Sequence, residues 1–87
     1  RKAEQQDPFA AGRVVRVRRG HSKGPNLIYL LAAPEDGSPW VTGSTGIARS
    51  WERQARFACT GRSTDAFVEV RAPGGHCVGW LQRGGLE

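Results

Sequence analysis

The clearest alternation of apolar and polar residues lies in the segment 66–81, AFVEVRAPGGHCVGWL. Val68 and Val70 alternate there with Glu69 and Arg71, a period of two that places the two sets on opposite faces of a β-strand. A proline and two glycines follow and supply a turn, because glycine adopts positive φ without steric cost. The segment therefore predicts a β-hairpin, which needs further strands to cover its apolar face.

Other apolar segments predict the remaining strands. Val15 and Val17 share one face of a strand whose other face carries arginines. The most apolar run, 27–33, fits a buried strand, although periodicity alone does not distinguish it from a single helical turn. Shorter strands are expected at 40–42 and 56–60, because turn-forming residues flank them. About five short strands result, which predicts an all-β fold, a small barrel or sandwich.

The segment 47–57 fits two structures. Ile47, Trp51 and Ala55 recur at steps of four residues, and a serine and a threonine precede them as candidate N-caps. This spacing allows a helix of two to three turns. A short helix among glycine-rich strands needs packing to stabilise it, so an irregular segment is the alternative.

The chain length supports a single domain. Its 87 residues form one compact unit. We predict a flexible N-terminal arm over 1–11, anchored by Phe9, and one β-barrel domain over 12–87. We assign no structural role to the last two residues, 86–87. The longest apolar run is far shorter than a membrane span, so no membrane span is expected.

Four segments of the chain, VVRVRRG, FACTG, AFVEVR and GG-HCVGWL, resemble strands of the bacterial SH3 domains. The segment VVRVRRG at 14–20 is similar to the first strand of that family. Further on, FACTG, AFVEVR and GG-HCVGWL resemble its last three strands. Phe67 stands where the family usually has tryptophan, Val70 matches a family valine, and the Gly-Trp-Leu at 79–81 matches the closing motif. These pieces cover roughly a third of the chain.

The resemblance implies a small SH3-like barrel of about five strands. Segment 32–54 has no counterpart in the family and is expected to be an insertion with room for one short helix. Domains of this family are non-catalytic binding modules, often on cell-wall hydrolases or secreted proteins, where they bind peptidoglycan peptides. Since a fold does not fix a function, the ligand implied is an analogy.

Aromatic residues near the predicted loops are candidates for ligand contact. Tyr29, Trp40 and Trp51 flank loops and would line a shallow groove for an extended peptide. In a basic barrel the same rings would stack on the bases of a single strand. Phe67 and Trp80 lie in the predicted hairpin and are assigned to the core.

The charge balance adds a second class of partner. Lysine and arginine number 13 against 8 acidic residues, a net charge of +5, which favours anionic partners such as nucleic acid. Ordinary surface charge explains the excess equally well. The candidate anion-binding residues are Arg16, Arg18, Arg19, Lys23, Arg49 and Arg53. On a helix, Arg49 and Arg53 would align with Arg56.

Catalytic and metal sites are not expected. His76 precedes Cys77 directly, and neighbours on a strand point to opposite faces, so they do not form a nucleophile–base pair. With Cys59 and His21 they make four possible metal ligands, but these lack the paired spacing of zinc sites. We predict no enzyme activity, no metal and no cofactor. A disulfide between Cys59 and Cys77 stays open.

Three functions are compatible with these patterns. The leading hypothesis is a non-enzymatic binding module that recognises a cell-wall peptide or a protein segment, secreted or in the cell envelope. The alternative is a basic barrel that binds nucleic acid, in which case the cytoplasm is expected. A structural subunit of a multi-protein particle is the third. The sequence does not determine the oligomeric state.

Overall fold

The computed structural model describes residues 9–18, 27–43 and 45–86. The strands of these residues are β1 (Val14–Val15), β2 (Leu27–Ile28), β3 (Trp51–Glu52), β4 (Phe57–Ser63), β5 (Phe67–Arg71) and β6 (Val78–Gln82). A 3₁₀ helix, Arg83–Gly85, follows β6, and no α-helix occurs within the described ranges. The domain is an all-β, small barrel-like fold, as predicted.

The larger sheet has four antiparallel strands in the order β1-β4-β5-β6. The predicted hairpin is confirmed as β5 and β6, which pair Val68 with Leu81 and Val70 with Gly79. The turn between them contains two glycines at positive φ, 93° and 76°. Glycine meets this conformation without the clash that a Cβ introduces.

The middle of the chain is tied to β6 by single bridges. β2 and β3 form a separate two-stranded sheet. Leu31 exchanges two backbone hydrogen bonds with Trp80, both of 2.9 Å. Leu31 also bridges to Trp40 on its other side, and Thr42 bridges to Ala48. The sheet is thereby extended beyond β6 by short, interrupted pairings.

The C-terminus closes the structure against the first strand. Val17 bridges to Leu86, and the backbone N–H of Arg18 donates to Gly85 at 2.7 Å. The Arg18 Nε donates to the Leu86 carbonyl at 3.1 Å. Leu86 is only 4% exposed and belongs to the core. Leu86, which has no structural role in the sequence-based prediction, therefore helps to close the barrel.

The core lies between the inner faces of these strands. Phe57, Leu30, Val68 and Val70 are its largest fully buried side chains. Phe67 and Trp80 are buried as expected. They lie on the sheet face opposite to Val68, because successive side chains of a strand alternate between its two faces.

Gly79 allows the central approach of two segments. A Cβ at this position would lie 2.6 Å from the Leu30 Cβ and 2.9 Å from the Val41 Cγ2. Real Cβ atoms do not approach other atoms so closely, so only glycine fits without a shift of the core. The glycine of the Gly-Trp-Leu motif is therefore required by packing.

The helical alternative for 47–57 is wrong. Within this segment the chain forms a bridge at Ala48, the strand β3 and a turn in which the Ala55 N–H donates to Glu52 at 2.9 Å. Ile47 is 70% exposed, so the residues at four-residue steps do not share a buried face. Without such a face nothing stabilises a short helix, and the segment is irregular.

The predicted N-terminal arm is described only in its last residues. Its residues 1–8 lie outside the described ranges. Phe9 packs against the core, and the Arg83 guanidinium lies 5.0 Å from the centroid of its ring. The Gly12 N–H donates to the Cys59 carbonyl at 2.9 Å. Residues 9–12 are thus attached to the domain.

Candidate functional site

A groove lies between the turn 33–40, the end of β2, β6 and the 3₁₀ helix. Its volume is about 540 Å³. Its lining combines aromatic, apolar and polar side chains. They include Tyr29, Leu31, Asp36, Trp40, Trp80 and Leu86.

A stacked aromatic pair forms one wall of the groove. The rings of Tyr29 and Trp40 lie 4.3 Å apart between centroids, with an angle of 19° between their planes. Trp40 is 39% exposed and Tyr29 is half-buried. Since Leu31 is bridged to both Trp40 and Trp80, the three side chains share one face of the extended sheet. The groove thus has an aromatic and aliphatic wall that solvent reaches.

Hydrogen bonds of the preceding turn fix Trp40. Ser38 is buried, and its Oγ accepts the Ala33 N–H at 2.9 Å and donates to the Pro39 carbonyl at 3.0 Å. The Ala32 N–H donates to the same carbonyl at 2.8 Å. Gly37 takes φ +83° at the tip of the turn. These three hydrogen bonds therefore fix the turn that positions Trp40 at the groove.

Trp80, a further lining residue, is supported by a polar cluster. The Arg62 guanidinium lies 5.7 Å from the centroid of the Trp80 ring. Arg62 also forms an ion pair with Glu69 at 3.6 Å. The Thr60 hydroxyl donates to Glu69 at 2.6 Å. The Trp80 ring thus lies under a guanidinium that is itself paired with a carboxylate on the same sheet.

The groove carries both signs of charge near its lining. Asp36 contributes a carboxylate to the lining itself. Arg18 donates its Nε to the carbonyl of Leu86, and Leu86 also lines the groove. Polar groups of this kind fix the orientation of a ligand that apolar walls bind.

The structure brings together two of the three predicted aromatic residues. Tyr29 and Trp40 form the stacked pair, but Trp51 is elsewhere. Trp51 packs against the core, with its ring edge-on to Phe57 at 6.0 Å between centroids. The Arg49 guanidinium lies 5.7 Å from the Trp51 centroid. Trp51 is therefore a packing residue in this fold.

Sequence reasoning missed Trp80 as a groove residue. Trp80 alternates with the core residue Leu81, which places it on the face away from the main core. This period-two signal was available in the sequence. No comparable signal identified Asp36, because its place in the lining depends on the fold of the turn.

The predicted basic patch is divided between different parts of the fold. Arg16 and Arg18 are exposed and flank the β1 end of the large sheet. Arg49 and Arg53 flank β3 in the small sheet and do not lie on a helix. Two further predicted residues, Arg19 and Lys23, lie outside the described residues. The six positions do not come from one element.

The candidate chemical residues are also dispersed. Cys59 is buried on β4, Cys77 is half-buried before β6, and His76 is exposed in the intervening turn. Of the residues that the structure describes, no two cysteines form a disulfide. Over the same residues, no three His, Cys, Asp or Glu side chains come together as a metal-binding group. His21 lies outside the described residues.

No protein-family model, curated protein or solved structure matches this chain. In the described parts of the chain, no helix has the length and apolar character needed to cross a membrane.

Proposed function

We propose that this domain is a non-enzymatic, SH3-like binding module whose groove takes an extended peptide segment of a protein or of the cell wall. The observation that carries this proposal is the stacked Tyr29–Trp40 pair on the open side of the groove. Secretion or attachment to the cell envelope is the expected context.

The size and lining of the groove support a peptide ligand. A volume of about 540 Å³ is in the range of small-molecule and peptide sites. The stacked rings present a flat apolar surface that is already ordered before binding. Binding to such a surface costs little side-chain entropy, because stacking has already fixed the two rings.

Two residues of the closing motif in the SH3 resemblance line this groove. Trp80 and Leu81, from the Gly-Trp-Leu motif, both contribute to its lining. Gly79 of the same motif lets Leu30 and Val41 approach β6. The motif thus combines barrel packing with a place beside the proposed ligand, which supports the SH3-like assignment.

A selection experiment tests the proposal. A library of random 12-residue peptides and a set of cell-wall stem peptides would be screened, and hits measured by fluorescence anisotropy. We expect a peptide to bind and Trp40→Ala to weaken it at least about tenfold, since the variant removes half of the stacked pair. Ile47→Ala is the control, because Ile47 is 70% exposed and does not line the groove.

Nucleic acid is the competing ligand in the same experiment. A fluorescent random single-stranded oligonucleotide would be titrated at low and at physiological salt. Salt-sensitive binding of the oligonucleotide together with no peptide hit would favour the nucleic-acid alternative. Equal peptide affinity of the wild type and Trp40→Ala would show that the groove does not bind the peptide.

A further inference from the structure

A second surface crosses the outer face of the four-stranded sheet. The strand register places Val14 opposite Ala58, Ala58 opposite Arg71, and Arg71 opposite Val78. Directly opposed residues share a sheet face, so the four side chains form one continuous row over β1, β4, β5 and β6. None of them lines the groove. We call this row the valine–arginine face.

The row exposes apolar surface at both ends. Val14 is 58% exposed and Val78 is 38% exposed, while Ala58 between them is half-buried. Val15 and Gly79, their neighbours on the inner face, are buried. Strand propensity explains one exposed valine. The two exposed valines lie at the ends of the row, with Ala58 and the exposed Arg71 between them. An extended segment that crosses the strands along the row would contact both valines and the arginine.

Positive charge surrounds this row, and the carboxylate on the same sheet face, Glu69, pairs with Arg62. Arg71 is exposed within it, and Arg16 and Arg56 occupy exposed positions of the same face, each beside a buried core residue. Among the described residues, no carboxylate forms an ion pair with any of the three. The ion pair seen there joins Arg62 to Glu69.

We propose that the valine–arginine face binds an acidic, apolar segment of a partner protein. Arginine is enriched and lysine depleted at protein interfaces, and guanidinium groups pair with carboxylates through two hydrogen bonds. The exposed valines give the apolar side chains of such a segment a place to dock. Neither contact depends on the groove or on its ligand.

The rings of this face argue against a single-stranded nucleic acid. Bases bind such proteins by stacking on exposed aromatic side chains. Phe67 and Trp80 lie on the outer face of the sheet, but they are only 5% and 6% exposed. The bases of a single strand would meet exposed valines instead of aromatic rings. Pairing of its phosphates with the arginines would leave those valines without a contact.

A designed peptide tests this surface. The probe is a fluorescent 12-residue peptide that alternates glutamate with leucine, measured by anisotropy at physiological salt. We expect it to bind, and Val78→Thr and Arg71→Gln each to weaken binding at least about fivefold. Arg49→Gln is the matched control, because Arg49 is an exposed arginine that precedes β3, outside the four-stranded sheet. Trp40→Ala is the groove control and is expected to have no effect.

Three companion probes decide the chemistry. One replaces leucine with serine, one replaces glutamate with lysine, and one is a 12-nucleotide single strand. Weaker binding of all three supports the proposal. Equal binding of the serine peptide would show that charge attraction alone explains the binding, which overturns the proposal. Tighter binding of the oligonucleotide would overturn it as well, because the partner would then be a nucleic acid. No binding of any probe, or loss of binding in Trp40→Ala, overturns the proposal.

Discussion

Two regions of this small domain are built in different ways. The C-terminal region, 57–86, has strands of five to seven residues that pair over most of their length. The middle region, 27–56, has two strands of two residues and otherwise isolated bridges. The first region supplies most of the fully buried side chains, and the second supplies the exposed Trp40. A regular sheet thus carries an irregular segment that presents aromatic rings to solvent.

The sequence explains this difference. The C-terminal region alternates apolar and polar residues and contains the β-branched valines that strands favour. The middle region holds two prolines, Pro34 and Pro39, and has no comparable alternation after them. Proline has no N–H to donate to a ladder, so long strands do not form there.

The largest expected effect comes from Gly79, where the two regions touch. We expect Gly79→Ala to lower the free energy of unfolding by about 3 kcal/mol, because the new Cβ would overlap buried Leu30. Gly84→Ala is the control, since a Cβ at Gly84 meets nothing within 4 Å. Chemical denaturation measures both variants. Equal stability of the two would contradict the close approach.

Closure by the C-terminus gives the next effect. Leu86→Ala should cost about 2–3 kcal/mol in urea unfolding, because Leu86 is buried in the core opposite Val17. Leu27→Ala, at a leucine that is 36% exposed, should cost less than half as much. If both substitutions cost the same, residue 86 does not close the barrel.

The turn before Trp40 offers a smaller test. Ser38→Ala removes the Oγ that accepts the Ala33 N–H, and we expect a loss of about 1–2 kcal/mol. Ser50→Ala changes an exposed serine and should be neutral within about 0.5 kcal/mol. Thermal unfolding compares them. A neutral Ser38→Ala would mean that the turn does not depend on this bond.

The smallest effect is expected at the cluster beside Trp80. The Arg62 side chain is 74% exposed, so its ion pair with Glu69 should couple by less than about 1 kcal/mol. A double-mutant cycle of Arg62→Ala and Glu69→Gln measures this coupling. Coupling well above that value would contradict a weak ion pair that solvent screens.

Local alternation was enough to predict the hairpin and the burial of Val15 and Val17. It failed at 47–57, because a four-residue spacing indicates a helix only when the spaced residues are buried together, and Ile47 is not. It also gave no role to Leu86, whose burial depends on a contact with Val17 that is 69 positions away. Long-range closure leaves no periodic signal in the sequence.

The candidate site was predicted in part for the same reason. Tyr29 and Trp40 flank loops, and loop-flanking aromatics were expected to meet. Trp51 has the same local surroundings in sequence but packs on Phe57. The tertiary fold decides which aromatic side chain is buried. It brings β3, with Trp51, over the core and leaves Trp40 at the groove.

Amide hydrogen exchange, with and without a peptide selected for the groove, tests the central claim most directly. The claim is that a stable C-terminal sheet carries a less stable, peptide-binding middle region. In the free protein we expect the amides that β5 and β6 donate to each other to exchange only through global unfolding. Amides of 27–52, together with the Trp80 amide that donates to Leu31, should exchange at least about a hundredfold faster. The peptide should slow exchange at Leu31 and Val41. Equal protection of both regions, or peptide protection confined to β4 and β5, would contradict the account.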